Sequence, residues 1–134
     1  MTVEYEDDDV VYEGDDCCTF VASWWAAATG TDPARNYRGS YSTPEEAREI
    51  LENNGGARGL CENLLEMHGG IRIQNVQDGD VGIIRVQTYV LGSVPRFEEV
   101  PAVCYGPLWG MMSLRGVMVK KAEYMGVAWR PSIV

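Results

Sequence analysis

The chain has 134 residues, 46% hydrophobic and 23% charged, which is the length and balance of one folded domain and excludes the disordered and fibrous classes. Twenty acidic residues against 11 basic ones give a formal net charge of -9, a field that repels phosphate backbones and argues against nucleic acid as a partner. No apolar run approaches the ~18 to 20 residues of a membrane span, and the acidic N-terminus lacks the basic start of a secretory signal, so synthesis in a cytoplasm is expected.

Residues 1–16, "MTVEYEDDDVVYEGDD", hold eight of the 20 acidic residues and one short apolar pair, Val10 and Val11. They read as an extended arm ending in a turn, either solvated or ordered against a partner subunit. Residues 17–134 follow as a single domain. The first helix is expected from about Cys17 to Thr29, with Asp16 as N-cap and Gly30 and Pro33 closing its far end. Cys17, Phe20, Val21, Trp24, Trp25 and Ala28 recur at helical spacing and predict its buried face.

"STPEEAREILENNGG" carries a capping box, with Thr43 as N-cap, Pro44 at the first helical position and Glu46 three residues after the threonine. A helix to about Asn53 follows, with Ala47, Ile50 and Leu51 facing inward and Gly55 and Gly56 ending it. A third helix through "GLCENLLEMHGG" presents Leu60, Cys61, Leu64 and Leu65, with His68 at its end. Beyond Gly70 the pattern becomes strand-like in "IRIQNV", "DVGIIRVQTYVL", "EEVPAVCYG" and "RGVMVKKAEY", runs rich in β-branched residues and parted by Gly, Pro and Asp. Helices first and strands second predict an α+β domain with an antiparallel sheet or small barrel.

Four cysteines are too few for a disulfide scaffold, and the adjacent Cys17 and Cys18 are poorly placed to pair with each other. All four read as thiols. Cys61, Cys104 and the single His68 lack metal-ligand spacing, so neither a metal nor a cofactor is expected. Cys17 stands in the first turn of its helix, where unpaired amides and the macrodipole favour a thiolate, although Asp15 and Asp16 oppose ionisation of the same sulfur. A buried thiol that behaves as a small hydrophobe is the plainer alternative.

"DDCCTFVASW", then "QDGDVGIIRV", then "AVCYGPLWGMMSLRGVMV" together resemble the NlpC/P60 group of papain-like cysteine peptidases, and more closely its degenerate branch in phage and prophage tail modules. Asp16, Cys17, Phe20 and Val21 match the family's Asp-Cys-Ser-Gly-Phe-Val. Asp78, Gly79, Asp80 and Val81 match the Pro-Gly-Asp-Leu that leads into its first barrel strand, and "AEYMGVAWRP" is similar to the ending of the phage branch. "YRGSY" around Arg38 is similar to a stretch that recurs there. The resemblance implies a papain-like fold and makes Cys17 the candidate nucleophile.

The family's histidine opens the second barrel strand as His-Val-Gly-Ile-Tyr. In "VPAVCYG" the region is occupied by Val100, Pro101 and Ala102, and the base that would take the thiol proton is missing. His68, the only histidine, is the sole candidate for a relocated base.

The resemblance therefore implies a phage tail-tip or baseplate subunit, carried in the virion tail, that keeps a peptidase scaffold without its activity. Its partners would be a tail hub or distal tail protein. One alternative is an active peptidoglycan-cleaving peptidase using Cys17 and His68. Another is a metal or iron-sulfur module built from Cys17, Cys18, Cys61 and Cys104. Trp109 and Trp129 are either core residues or a carbohydrate-stacking surface, and Met111 and Met112 either fill a barrel or form a docking patch.

Overall fold

The computed structural model describes residues 2–5, 10–12, 14–37, 43–89, 96–113 and 116–132. It is an α+β protein whose elements run β1 (Thr2–Tyr5), β2 (Val10–Tyr12), α1 (Gly14–Thr29), α2 (Pro44–Asn53), α3 (Gly56–Met67), β3 (Gly70–Ile73), β4 (Val81–Tyr89), β5 (Arg96–Tyr105), β6 (Leu108–Ser113), β7 (Gly116–Lys120) and β8 (Glu123–Pro131). The "RGSY" part of the Arg38 loop lies outside the described residues. None of the described helices is long and apolar enough to cross a membrane.

The eight strands form one antiparallel sheet with the path β2-β1-β4-β5-β6-β7. Strand β8 pairs with β4 and carries β3 on its other edge. The acidic arm therefore differs from the expectation. Thr2–Tyr5 and Val10–Tyr12 form a hairpin, and Glu4 and Tyr5 pair with Tyr89 and Thr88 of β4. The apolar pair Val10–Val11, flanked by Val3 and Tyr12, supplies β-propensity that the surrounding carboxylates mask in a reading of charge alone.

Helix α1 begins at Gly14, three residues before the expected start, so Asp15 and Asp16 belong to its first turn and Asp16 is not the N-cap. Carboxylates in a first turn are favoured by the macrodipole, which permits the extension. Helix α2 matches its capping box: the Thr43 Oγ1 accepts from the Glu46 N–H at 3.2 Å, and Pro44 opens the helix. The third helix also starts three residues early, at Gly56, directly behind a left-handed Gly55.

Two apolar clusters occupy the two faces of the sheet. Val21 and Trp25 of α1, Cys61 and Leu65 of α3, and Val81, Ile83 and Trp129 form the layer between helices and sheet. Ile84, Val86, Val100, Ala102, Cys104, Trp109 and Met111 form the other, inside the curl of the sheet. Trp109 and Trp129 are 4% and 0% exposed, so both are core residues and neither offers a stacking platform. Met111 is likewise buried, filling the sheet interior. Trp24 departs from the expected buried stripe: it is 38% exposed and donates its indole N–H to the Gly79 carbonyl at 2.9 Å.

The run "PLWGMMS", not assigned as a strand from its pattern, is β6, and "RGVMVKKAEY" divides at Lys121–Ala122 into β7 and β8. Gly82 is where the interior is tightest. A Cβ there would lie 2.7 Å from the Trp109 ring and 3.3 Å from that of Tyr124, two rings stacked 5.5 Å apart at 21°. Because the nearer ring is locked in the core, Gly82→Ala is expected to cost about 1–3 kcal/mol of stability by overpacking. A urea titration checks this, and an unchanged midpoint would show that the stack is free to shift.

Candidate functional site

Cys17, the candidate nucleophile, is the fourth residue of α1; its side chain lies outside the described residues. Its neighbour Cys18 is half-buried and, together with Val21, Leu60, Cys61 and Leu65, lines an apolar cavity of about 20 Å³ between α1 and α3. Among the described cysteines, Cys18, Cys61 and Cys104 are all thiols. Cys61 and Cys104 fall in the two separate core clusters, so they do not converge as an iron-sulfur ligand set requires. Among the described residues no group of three or more His, Cys, Asp or Glu is placed to hold a metal.

The "QDGD" turn matched to the family is held from several sides. Gly79 takes φ 92, a value glycine adopts without steric cost, and its N–H donates to the Cys104 carbonyl at 2.9 Å. The Cys104 N–H returns a bond to the Asp80 carbonyl at 2.8 Å, and the Asp78 carboxylate accepts from the Gly106 N–H at 2.6 Å. The turn before β4 is thereby tied to the turn between β5 and β6.

Among the described residues Asp80 is the buried charge, 2% exposed. Its two oxygens accept from the Arg130 Nε at 3.0 Å and Nη2 at 2.9 Å, and the second also accepts from the Gln77 N–H at 2.8 Å. A fork-to-fork pair of this kind satisfies a buried carboxylate with directional, charge-assisted bonds. Its hydrogen bond to Asp80 raises the pKa of Arg130 above the ordinary guanidinium value. The Arg130–Asp80 pair was not foreseen: "WRP" was legible only as an aromatic feature, and fifty residues separate the partners.

Around this lock, burial raises the Cys104 pKa above the ordinary thiol value, with Asp78 and Asp80 adding to the shift. Tyr124 is raised above 10.0 by burial, then by Asp80 and Cys104; its hydroxyl donates to the Gln74 carbonyl at 2.8 Å. These groups are held neutral, the opposite of what activates a thiol nucleophile.

The stretch "VPAVCYG", which the sequence resemblance sets against a histidine, is buried at Val100, Pro101 and Ala102. Val100 and Ala102 are 1% and 0% exposed on β5, paired with Ile84 and Gly82 of β4. Pro101 is tolerated because this stretch of β5 is laddered only to β4, while β6 pairs from Val103 onward.

His68 is the half-buried C-cap of α3, with its Nδ1 2.7 Å from the Leu64 carbonyl one helical turn back. Gly70, two residues on, lies against the Trp25 ring: a Cβ on it would be 3.0 Å from Cη2. Trp25 is eight residues beyond Cys17 on α1, about 12 Å of helical rise.

The larger depression, about 350 Å³, is lined by Arg48, Leu51, Glu52, Ala57, Arg58 and Glu99 among others. It involves the α2–α3 turn and β5 and takes in neither the "QDGD" turn nor His68. Arg58 and Glu99 are paired across it by two bonds of 3.1 and 2.9 Å.

The chain belongs to the family described as "Domain of unknown function (DUF6950)", whose model matches residues 1–131. No curated protein and no solved structure matches it.

Two outcomes follow from this geometry. Asp80→Ala leaves the Arg130 guanidinium and the part-buried Gln77 N–H without their acceptor, a loss expected at about 1–3 kcal/mol, whereas Asp78→Ala, at an exposed turn, costs less; thermal melts of both variants provide the comparison. Because the fold holds the protons on Cys104 and Tyr124 to higher pH than the unfolded chain does, stability is fully present below the unfolded values, about 8.5 and 10, and declines as pH rises past them. Cys104→Ala and Tyr124→Phe are each expected to flatten that alkaline decline in urea midpoints measured from about pH 8 to 11.

Proposed function

We propose that the protein is a structural subunit of a phage tail tip or baseplate, built on an NlpC/P60-like, papain-like frame that has lost its proteolytic activity. The observation that carries this reading is the burial of Val100 and Ala102, which closes with aliphatic packing the region where the resembled family holds its base. A cysteine without an imidazole to take its proton and return it to the leaving amine forfeits orders of magnitude in rate. The sequence resemblance supplies the tail setting, and with it a tail hub or distal tail protein as the neighbours.

A second reading is a cysteine endopeptidase that cuts peptidoglycan at the tail tip, with Cys17 attacking and His68 as base. One observation favours it: with Nδ1–H donating to the Leu64 carbonyl, Nε2 is left as the acceptor, the arrangement a general base needs. The position of His68 speaks against it, since its helix end packs at the level of Trp25, about 12 Å along α1 from Cys17.

Incubation of the pure protein with isolated sacculi separates the two. No soluble wall fragments are expected from the wild type, and thiol labelling at neutral pH should find no fast site at Cys17. Fragment release that is lost in Cys17→Ala and kept in Cys18→Ala would establish the peptidase and overturn the structural reading.

A further inference from the structure

Two thiols that take no part in the Asp80 lock meet in the helix layer. Cys18 of α1 and Cys61 of α3 line one cavity of about 20 Å³, walled otherwise by apolar residues that include Val21, Ala22, Leu60 and Leu65. The space is about the size of one water molecule, yet its walls supply few of the polar partners that would hold a water there. A void of this kind leaves its lining without packing atoms on one side, so both cysteine side chains have a space to turn into.

The helices bring the two residues to the same level. Helices α1 and α3 pack directly on one another and run in the same direction, since the shared cavity is followed along both by the meeting of Trp25 with Gly70. Cys18 stands seven residues before Trp25, and Cys61 seven before the α3 cap at His68, so each lies about 10 Å of helical rise short of that meeting. Packed helix axes are about 8–10 Å apart and Cα atoms lie about 2.3 Å from each axis, which leaves Cα atoms turned toward one another roughly 4–6 Å apart. A disulfide spans about 4.4–6.8 Å between Cα atoms. The small Ala22 in the same wall permits the close approach, whereas Cys104 is removed from both thiols in the other core cluster.

We propose that Cys18 and Cys61 are a modification site, a thiol pair that closes into an intramolecular disulfide and staples α1 to α3. The oxidant is a low-molecular-weight disulfide. Cys18 is half-buried and Cys61 4% exposed, so Cys18 is the thiol that meets it. Deprotonated Cys18 attacks one sulfur of the small disulfide and releases its other half as a thiolate; deprotonated Cys61 then attacks the Cys18 sulfur and releases the second half. Two protein thiols are oxidised, one small disulfide is reduced to two thiols, and the two protons pass to the released thiolates.

A reducing cytoplasm holds the pair open, and oxidising surroundings close it. Once closed, the staple fixes the start of α1, where Cys17 stands, across a loop that contains all of α2. It stabilises the fold by restricting the unfolded chain. The pair behaves in this way whether or not the chain serves in a virion.

The test treats the native, reduced full chain with oxidised glutathione at mildly alkaline pH. Its intact mass should fall by two hydrogens, and trypsin should leave the peptide ending at Arg35 joined to the one beginning at Gly59, with fragmentation placing the bond at Cys18. The oxidised form should melt at a higher temperature, and dithiothreitol should restore both mass and melt. Cys17→Ser should form the bond as the wild type does, whereas Cys18→Ser and Cys61→Ser should not, with circular dichroism confirming that each folds. An unchanged mass in the native wild type, a glutathione adduct that persists on Cys18, a bond made by Cys17 or between two chains, or a bond that survives in Cys18→Ser would each overturn the proposal.

Discussion

Strand β4 has to be apolar on both faces, because helices cover one face and the curl of the sheet covers the other. Val81 and Ile83 enter the cluster with Val21, Trp25 and Trp129; Ile84 and Val86 enter the cluster with Val100, Trp109 and Met111. The strand is also bonded along both edges, to β5 on one side and to β8 and β1 on the other. A strand so enclosed reads as a continuous apolar run instead of an alternating one, and "VGII" is such a run, ending at the exposed Arg85. Its glycine is the point where the interior aromatic pair presses against the backbone. Its neighbours gather around it: side chains of α1 and α3 pack with Val81 and Ile83, and β1, β5 and β8 pair with its edges.

The start of that strand is fixed by a charge. Asp80 sits immediately ahead of Val81, almost wholly buried, and one carboxylate ties together a turn amide and the Arg130 side chain at the end of β8. A buried ion pair adds little net stability compared with well-packed apolar groups, yet removing one partner is costly. Its effect here is geometric: it sets where β4 and β8 begin and end relative to one another. The same turn reaches α1 through Trp24 and the β5–β6 turn through Cys104 and Gly106. The turn ahead of β4 is therefore the junction of helix, sheet and C-terminal strand.

What the residues disclosed in advance depends on how local the governing physics was. The Thr43 capping box is a contact over three residues, and the structure contains it as written. The α+β class followed from the change of period near Gly70. Trp24 was assigned to the core because helical spacing counts apolar surface and is blind to an indole N–H that finds a carbonyl fifty-five residues away. Strand β6 was missed because "LWGMM" has helical and strand character in equal measure, and only its pairing with β5 and β7 decides between them. The N-terminal hairpin was hidden by charge: composition suggested an extended arm, solvated or ordered against a partner subunit, whereas Val3, Val10 and Val11 lie in strands paired within the chain.

The candidate site divides along the same line. That an imidazole is missing from "VPAVCYG" is a statement about letters, and the sequence makes it plainly. That the missing group could not simply be put back is a statement about packing, and only the fold makes it. A histidine at Val100 would enter a cluster of Ile84, Met111 and Ala102, a place where burial disfavours the charged imidazolium that base catalysis requires. The valine and its aliphatic neighbours form one packed unit, so recovering a base there would mean opening the interior of the sheet. Closure of the interior at Val100 and Ala102 is thus a property of the whole packed unit, and the bonds to Asp78 and Asp80 that tie the β5–β6 end to the turn before β4 hold the closed arrangement in place.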